Sequence, residues 1–353
     1  MGQHSASDLH LQAGSPPMLR IHGRLTPLQT EPLTHEGIQQ YLDLIADEPT
    51  RQQLVKERSV DFAHRVEGLA RFRVAAFYQR ESVSVVMRLI PSTPVSLEQL
   101  NLPAVVEDIA HIERGLVVVT GTTGSGKSTT LAAMIDLVNE KESKRIITIE
   151  DPIEFVYPRR RALIAQREIG ADAQTFLGAL RGALRQDPDV ILIGELRDQE
   201  TMSTALRAAD TGHAVFSTIH TTTAAQTIQR IIAMFPAAER DLLMLQLATN
   251  LEAVISQRLA RTADGKGRIP IVEILRGTPL VERIIMDGEI KKLNQVMANR
   301  EHGMQLFDQH LSELYKASVI TGTEAMRLAE NPEAVHMSRK GISTSDLAGG
   351  MVR

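Results

Sequence analysis

Gly121-Thr122-Thr123-Gly124-Ser125-Gly126-Lys127-Ser128 is the stretch of this 353-residue chain that decides its fold. It satisfies G-x-x-x-x-G-K-[ST] at every fixed position. The apolar run 116–120 leads into it and a helical pattern over 128–139 follows, so strand, loop and helix stand in the order the motif requires. Glycines let backbone N–H groups close around phosphates, and the start of the following helix adds a favourable dipole. In such a loop Lys127 is expected to pair with β- and γ-phosphates and Ser128 to offer its hydroxyl to Mg2+. With Thr129 beside them, Gly121, Thr122, Thr123, Gly124, Ser125, Gly126, Lys127 and Ser128 form the expected ATP-binding set.

Working outward, short apolar runs at 116–120, 145–150, 190–194 and 214–218 alternate with helical stripes such as Leu131, Met134, Ile135 and Val138, or Leu177, Leu180 and Leu184. That alternation predicts an α/β domain with a buried parallel sheet over 104–275. The run 190–193 ends in Gly194-Glu195, which matches a Walker B strand with Glu in place of the usual Asp. Glu195 is therefore expected to serve Mg2+ or the attacking water, against the plainer reading of a strand-end acid facing solvent. Asp151, Glu154 and Glu150 crowd another strand end, where Pro152 turns the chain. A carboxylate suits the task of orienting and deprotonating water, although acidic loops are commonly just solvated. His213 and His220 flank the run 214–219 and invite two readings, structural hydrogen bonding or sensing of the γ-phosphate.

Before this domain, residues 1–90 suggest a small α+β module. Ile38, Tyr41, Leu42 and Ile45 mark an amphipathic helix, Thr50 and Gln53 a capping box for a second, and 69–77 and 83–90 two strands. Its Arg71, Arg73, Arg80 and Arg88 are either solvated or lent to a neighbouring subunit to offset transition-state charge. Pro91, Pro94 and Pro103 define a linker over 91–103. Residues 276–340 form a helical section in which Met304, Phe307, Leu311 and Leu314 are packing positions, and 341–353 is an expected disordered tail.

Composition narrows the classes. The formal charge of −4 gives nucleic acid no global attraction, and an aromatic content of 3% without Trp leaves few stacking platforms, which counts against a helicase or recombinase. There is no cysteine, hence no disulfide framework and no thiolate zinc site. No apolar run approaches the roughly 20 residues of a membrane helix, and the start Met1-Gly2-Gln3-His4 lacks a secretory pattern. A cytoplasmic chain that meets a membrane only through partners is expected.

Four segments together carry a family likeness: the loop 121–128, the acidic box 149–154, the segment 184–198, and the histidine box from Thr211-Gly212-His213 to His220-Thr221. The chain resembles the type II/IV secretion ATPases, in particular the type IV pilus retraction ATPases of the PilT and PilU kind, from Ser7-Asp8-Leu9-His10 to Gly303-Met304-Gln305-Leu306-Phe307-Asp308. The resemblance implies a PAS-like N-terminal domain, a RecA-like ATPase domain and a homohexameric ring. It implies a catalytic role for Glu154, the Walker B role for Glu195, and the family's box histidines in His213 and His220. It also implies that Arg73 and Arg88 reach towards nucleotide between domains or subunits, and that hydrolysis changes the angle between domains. Implied partners are an inner-membrane pilus platform protein, at which the ring is peripheral, and a paralogous retraction ATPase.

A start close to the shared Ser-Asp-Leu-His segment and the lack of a cysteine zinc motif favour retraction over pilus assembly or type II secretion. The retraction signature Ala-Ile-Arg-Asn-Leu-Ile-Arg-Glu stands here as Leu280-Val281-Glu282-Arg283-Ile284-Ile285-Met286-Asp287, which resembles the PilU-like version. A main and an accessory retraction role both stay open at this level.

Overall fold

The computed structural model describes residues 1, 4, 6–21, 23–67, 70–90 and 93–333; the tail expected at 341–353 lies outside them. Two compact units emerge, one of Met1–Pro94 with Pro152–Pro158, the other of Val95–Asp151 with Arg159–Arg353.

The first unit contains β1 (Ala6–Leu11), β2 (Met18–Ile21), β3 (Arg24–Pro27), α1 (His35–Ile45), α2 (Glu48–Glu57), β4 (Ser59–Val66), β5 (Ala70–Gln79) and β6 (Ser82–Ile90). Its strands make an antiparallel sheet in the order β3-β2-β1-β6-β5-β4. Alternation along β5 and β6 sends Phe72, Val74, Ala76, Val83 and Val85 into a core with Ile38 and Leu42 of α1 and Leu54 of α2. The capping box expected at Thr50 is corrected: Asp47 is the N-cap, and its carboxylate accepts the Thr50 N–H at 3.0 Å. Asp47 was a better cap than Thr50 because the helix begins earlier, with Pro49 tolerated in its first turn.

The second unit contains α3 (Val105–Ala110), β7 (Gly115–Thr120), α4 (Lys127–Lys141), β8 (Arg145–Glu150), β9 (Leu163–Glu168), α5 (Phe176–Ala183), β10 (Val190–Ile193), α6 (Gln199–Asp210), β11 (Ala214–Ile219), α7 (Ala224–Ala233), α8 (Arg240–Asn250), β12 (Leu251–Arg261), β13 (Arg268–Arg276), α9 (Pro279–Met286), α10 (Leu293–Ala298), α11 (Phe307–Lys316) and α12 (Gly322–Leu328). The sheet order is β13-β12-β7-β11-β10-β8-β9, parallel except for the β12–β13 pair. Every residue of β7, β10 and β11 is buried, as continuous apolar strands covered on both faces must be. Val281, Ile284, Ile285, Leu293 and Val296 of α9 and α10 share the core of the sheet and its crossover helices. Phe307, Leu311 and Leu314 of α11 pack on Ala260, Ile269 and Ile271 of β12 and β13.

One core carboxyl has a measurable consequence. Glu273 on β13 is 1% exposed and accepts the Ala224 N–H at 2.7 Å. Burial pushes its pKa up to about 7; the Ala224 N–H and Arg258 oppose the rise, and Glu330 and Asp308 add to it. A folded pKa above the unfolded one means the fold disfavours the charged form, a cost that grows as pH climbs from the ordinary carboxyl range through 7. Glu273→Gln keeps an oxygen for Ala224 and is expected to gain about 2–3 kcal/mol at pH 8, most of which disappears near pH 5. Melting temperatures of both chains at the two pH values check this; an equal gain at both would refute it.

Candidate active site

The phosphate-binding loop leaves the sheet at the end of β7 and enters α4 through Gly126, whose φ of 92° is left-handed. No side chain caps α4, so the first N–H groups of this 15-residue helix keep their donor capacity for a ligand. Gly121 and Gly124 also have positive φ, of 148° and 79°. Lys127 is buried and its Nζ donates to the carbonyls of Gly121 and Thr122 at 2.9 and 3.1 Å. Thr122, Thr123 and Gly124 are exposed, and Ser128 and Thr129 half-buried. Ser125 Oγ is buried and meets no hydrogen-bond partner. An uncapped helix start and an orphaned hydroxyl on a glycine-rich turn fit a phosphate chain.

Parallel register places three more strand ends beside the loop. Ile219 of β11 aligns with Thr120 of β7, Ser217 with Ile193 of β10, and Ile193 with Ile149 of β8. His220, Glu195 and Asp151 therefore follow the same C-terminal edge of the sheet, where open α/β sheets bind ligands. Glu195 keeps 18% of its side chain exposed; Arg197 Nη2 lies 2.8 Å from one carboxylate oxygen and His220 Nε2 3.5 Å from the other. The Glu195 carboxylate, with Asp151 more weakly, raises the Arg197 pKa further. The turn carrying Glu195 is braced by the Thr218 hydroxyl, which donates to the Gly194 carbonyl at 2.7 Å, and by the Leu196 N–H, which donates to Thr218 O at 3.0 Å.

His213 stands apart. It precedes β11, so six strand residues put it roughly 20 Å from His220, at the opposite edge of the sheet. Its Nδ1–H donates to the Ala208 carbonyl at 2.9 Å, with Thr211 Oγ1 at 3.3 Å, closing the end of α6. The two histidines thus do not share one site within the chain.

Glu154 is exposed on the irregular segment Pro152–Pro158, which belongs to the first unit. Arg73 and Arg88 are direct cross-strand partners in β5 and β6. Arg88 Nε donates to Asp8 Oδ1 at 2.8 Å, and Arg73 faces Asp61 at 3.8 Å. Burial pushes the Asp8 carboxyl up, but the Ser7 hydroxyl and Arg88 outweigh it and hold it below the usual range. Both arginines keep large exposed fractions, 45% for Arg73 and 67% for Arg88, so their charge still reaches solvent.

Two residues escaped the sequence reading. Arg197 carried a signal, two positions after a strand-end acid. Gln257 was visible only as a polar residue inside the apolar run of β12, whose place next to β7 no local pattern reveals.

Loop, strand-end acid and this sheet order occur together in the P-loop ATPases built on a RecA-like sheet, and this chain is one. It belongs to the type II/IV secretion system protein family, whose model matches residues 4–327. It is 42% identical over 332 residues to the Pseudomonas aeruginosa protein described as "Type IV pilus retractation ATPase PilT", covering 94% of this chain and 96% of that one. To "Type IV pilus ATPase PilU" of the same organism it is 40% identical over 347 residues, 98% of this chain and 91% of the relative. A crystal structure of the pilus retraction motor PilT with bound ADP superposes with a TM-score of 0.88 at 43% identity, covering 94% of this chain and 95% of that one. Among the described residues no helix is long and apolar enough to cross a membrane.

Proposed function

We propose that this chain is the ATP-hydrolysing subunit of a homohexameric motor that retracts type IV pili. The observation that carries the reading is the phosphate loop sharing one sheet edge with Glu195, Arg197 and His220. Backbone N–H groups of Gly121–Ser128 and the Lys127 ammonium hold the phosphates, and Thr129 follows in the first turn of α4. Ser128 and Glu195 would hold Mg2+, which when bound would neutralise charge on the β- and γ-phosphates. Glu154 orients the attacking water and takes its proton. His220, 3.5 Å from the Glu195 carboxylate, senses the terminal phosphate, while His213 anchors the end of α6. Arg73 and Arg88 present positive charge to the nucleotide site of a neighbouring subunit. The ring works in the cytoplasm and touches the inner membrane through a platform protein, with a paralogous ATPase as a further partner.

Counting surface pili on cells lacking the protein tests this. Excess pili that the parent chain corrects and Glu154→Gln does not are expected. Bald cells would mean an assembly motor. Unchanged pili would mean an accessory role, of the PilU-like kind that the sequence of α9 resembles, or a different secretion system.

A further inference from the structure

Gln257 of β12 is 2% exposed and lies against the phosphate-binding loop. Its Nε2 donates to the Ser125 carbonyl at 2.8 Å, and its Oε1 accepts from the Thr130 hydroxyl at 2.7 Å. A carbonyl only accepts, so the amide orientation is set: NH2 towards Ser125, oxygen towards Thr130. One side chain thereby ties the loop to the first turn of α4. The loop is also moulded on the same residue's backbone. A Cβ on Gly121 would stand 2.4 Å from the Gln257 carbonyl oxygen, and one on Gly126 2.7 Å from Gln257 Nε2. The motif's first and last glycines are therefore needed for contact with β12 as well as for approach of phosphate.

We propose that Gln257 is a positioning residue for the nucleotide, an amide clamp that holds the loop backbone in its phosphate-binding shape. Three glycines within six residues leave that loop more conformational freedom than residues with a Cβ in their places would, and freedom must be lost again when phosphate binds. The peptide after Ser125 is planar and trans, so drawing its C=O to Gln257 aims the Gly126 N–H the opposite way. The clamp has a firm base. The next residue, Arg258, projects to the other face of β12, stacks over Phe307 at 4.0 Å and donates to Leu328 O at 3.0 Å and to Glu330 at 2.7 Å.

The test is ADP binding to the full chain by titration calorimetry from about pH 6 to about pH 9, with the parent as reference at each pH. Gln257→Glu is nearly isosteric, but above its pKa it sets a carboxylate against the Ser125 carbonyl, and burial raises that pKa. At about pH 9 its ADP affinity is expected to fall at least about tenfold below the parent's. As pH falls the protonated acid donates as the amide did, and the deficit closes. Gln257→Leu is expected to show a deficit at every pH. Parent-like affinity of Gln257→Glu across the range, or a deficit that pH does not alter, overturns the clamp. Should that variant not fold, Thr130→Val decides: affinity reduced severalfold supports the clamp, and unchanged affinity overturns it. The inference rests on the loop being the nucleotide site, which Lys127→Ala tests separately. Normal ADP binding by Lys127→Ala defeats that reading, whereas normal binding by the Gln257 variants alone defeats only the clamp.

Discussion

Glu154→Gln is expected to bind ATP as the parent does and to hydrolyse it about 10²–10⁴-fold more slowly. The substitution keeps the size and the oxygen of the side chain while removing its capacity to accept a proton. Glu154 is exposed on Pro152–Pro158, so losing its charge leaves no buried group unpaired and the fold should be indifferent. Steady-state phosphate release together with binding of a fluorescent ATP analogue separates chemistry from affinity. Ordinary turnover in this variant would move the base role elsewhere. Glu195 would be the next candidate, although Arg197 and His220 already engage both of its oxygens.

Lys127→Ala is expected to weaken ATP binding on the order of 10²-fold, and ADP binding by less. Lys127 is buried in the loop, where its ammonium spans the carbonyls of Gly121 and Thr122. Charge-assisted hydrogen bonds in such a site are stronger than neutral ones, and ATP has one more phosphate to lose. Lys127→Arg should rescue little, because a planar guanidinium cannot occupy the space of a compact ammonium between two carbonyls. Titration of both nucleotides into the three chains checks the order; equal affinities would remove Lys127 from the site.

Much of this was legible in the chain itself. The apolar runs 116–120, 145–150, 190–193 and 214–218 correspond to β7, β8, β10 and β11, because a strand buried on both faces is predominantly apolar, with the few polar residues hydrogen-bonded as Thr218 and Ser217 are. The first unit was less readable. Its strands β1 to β4 are short or half-exposed, and β3 is exposed at every residue, so no alternation announced them. The cap of α2 was misplaced by three residues, since two polar residues competed for one helix start.

What the sequence alone determined is the loop and the kind of sheet that carries it. Eight consecutive residues encode a local backbone shape, and glycine, lysine and serine there have few other uses. Only the tertiary structure decided which distant residues serve that loop. It joined Glu195 with Arg197 and His220, separated His213 from them, and set Gln257 against Ser125 and Thr130. The reason is strand order. β12 and β11 flank β7 although 130 and 93 residues separate Leu251 and Ala214 from the loop's Gly121 in the chain, and hydrogen-bonded register, not spacing along the chain, brings their side chains to its edge.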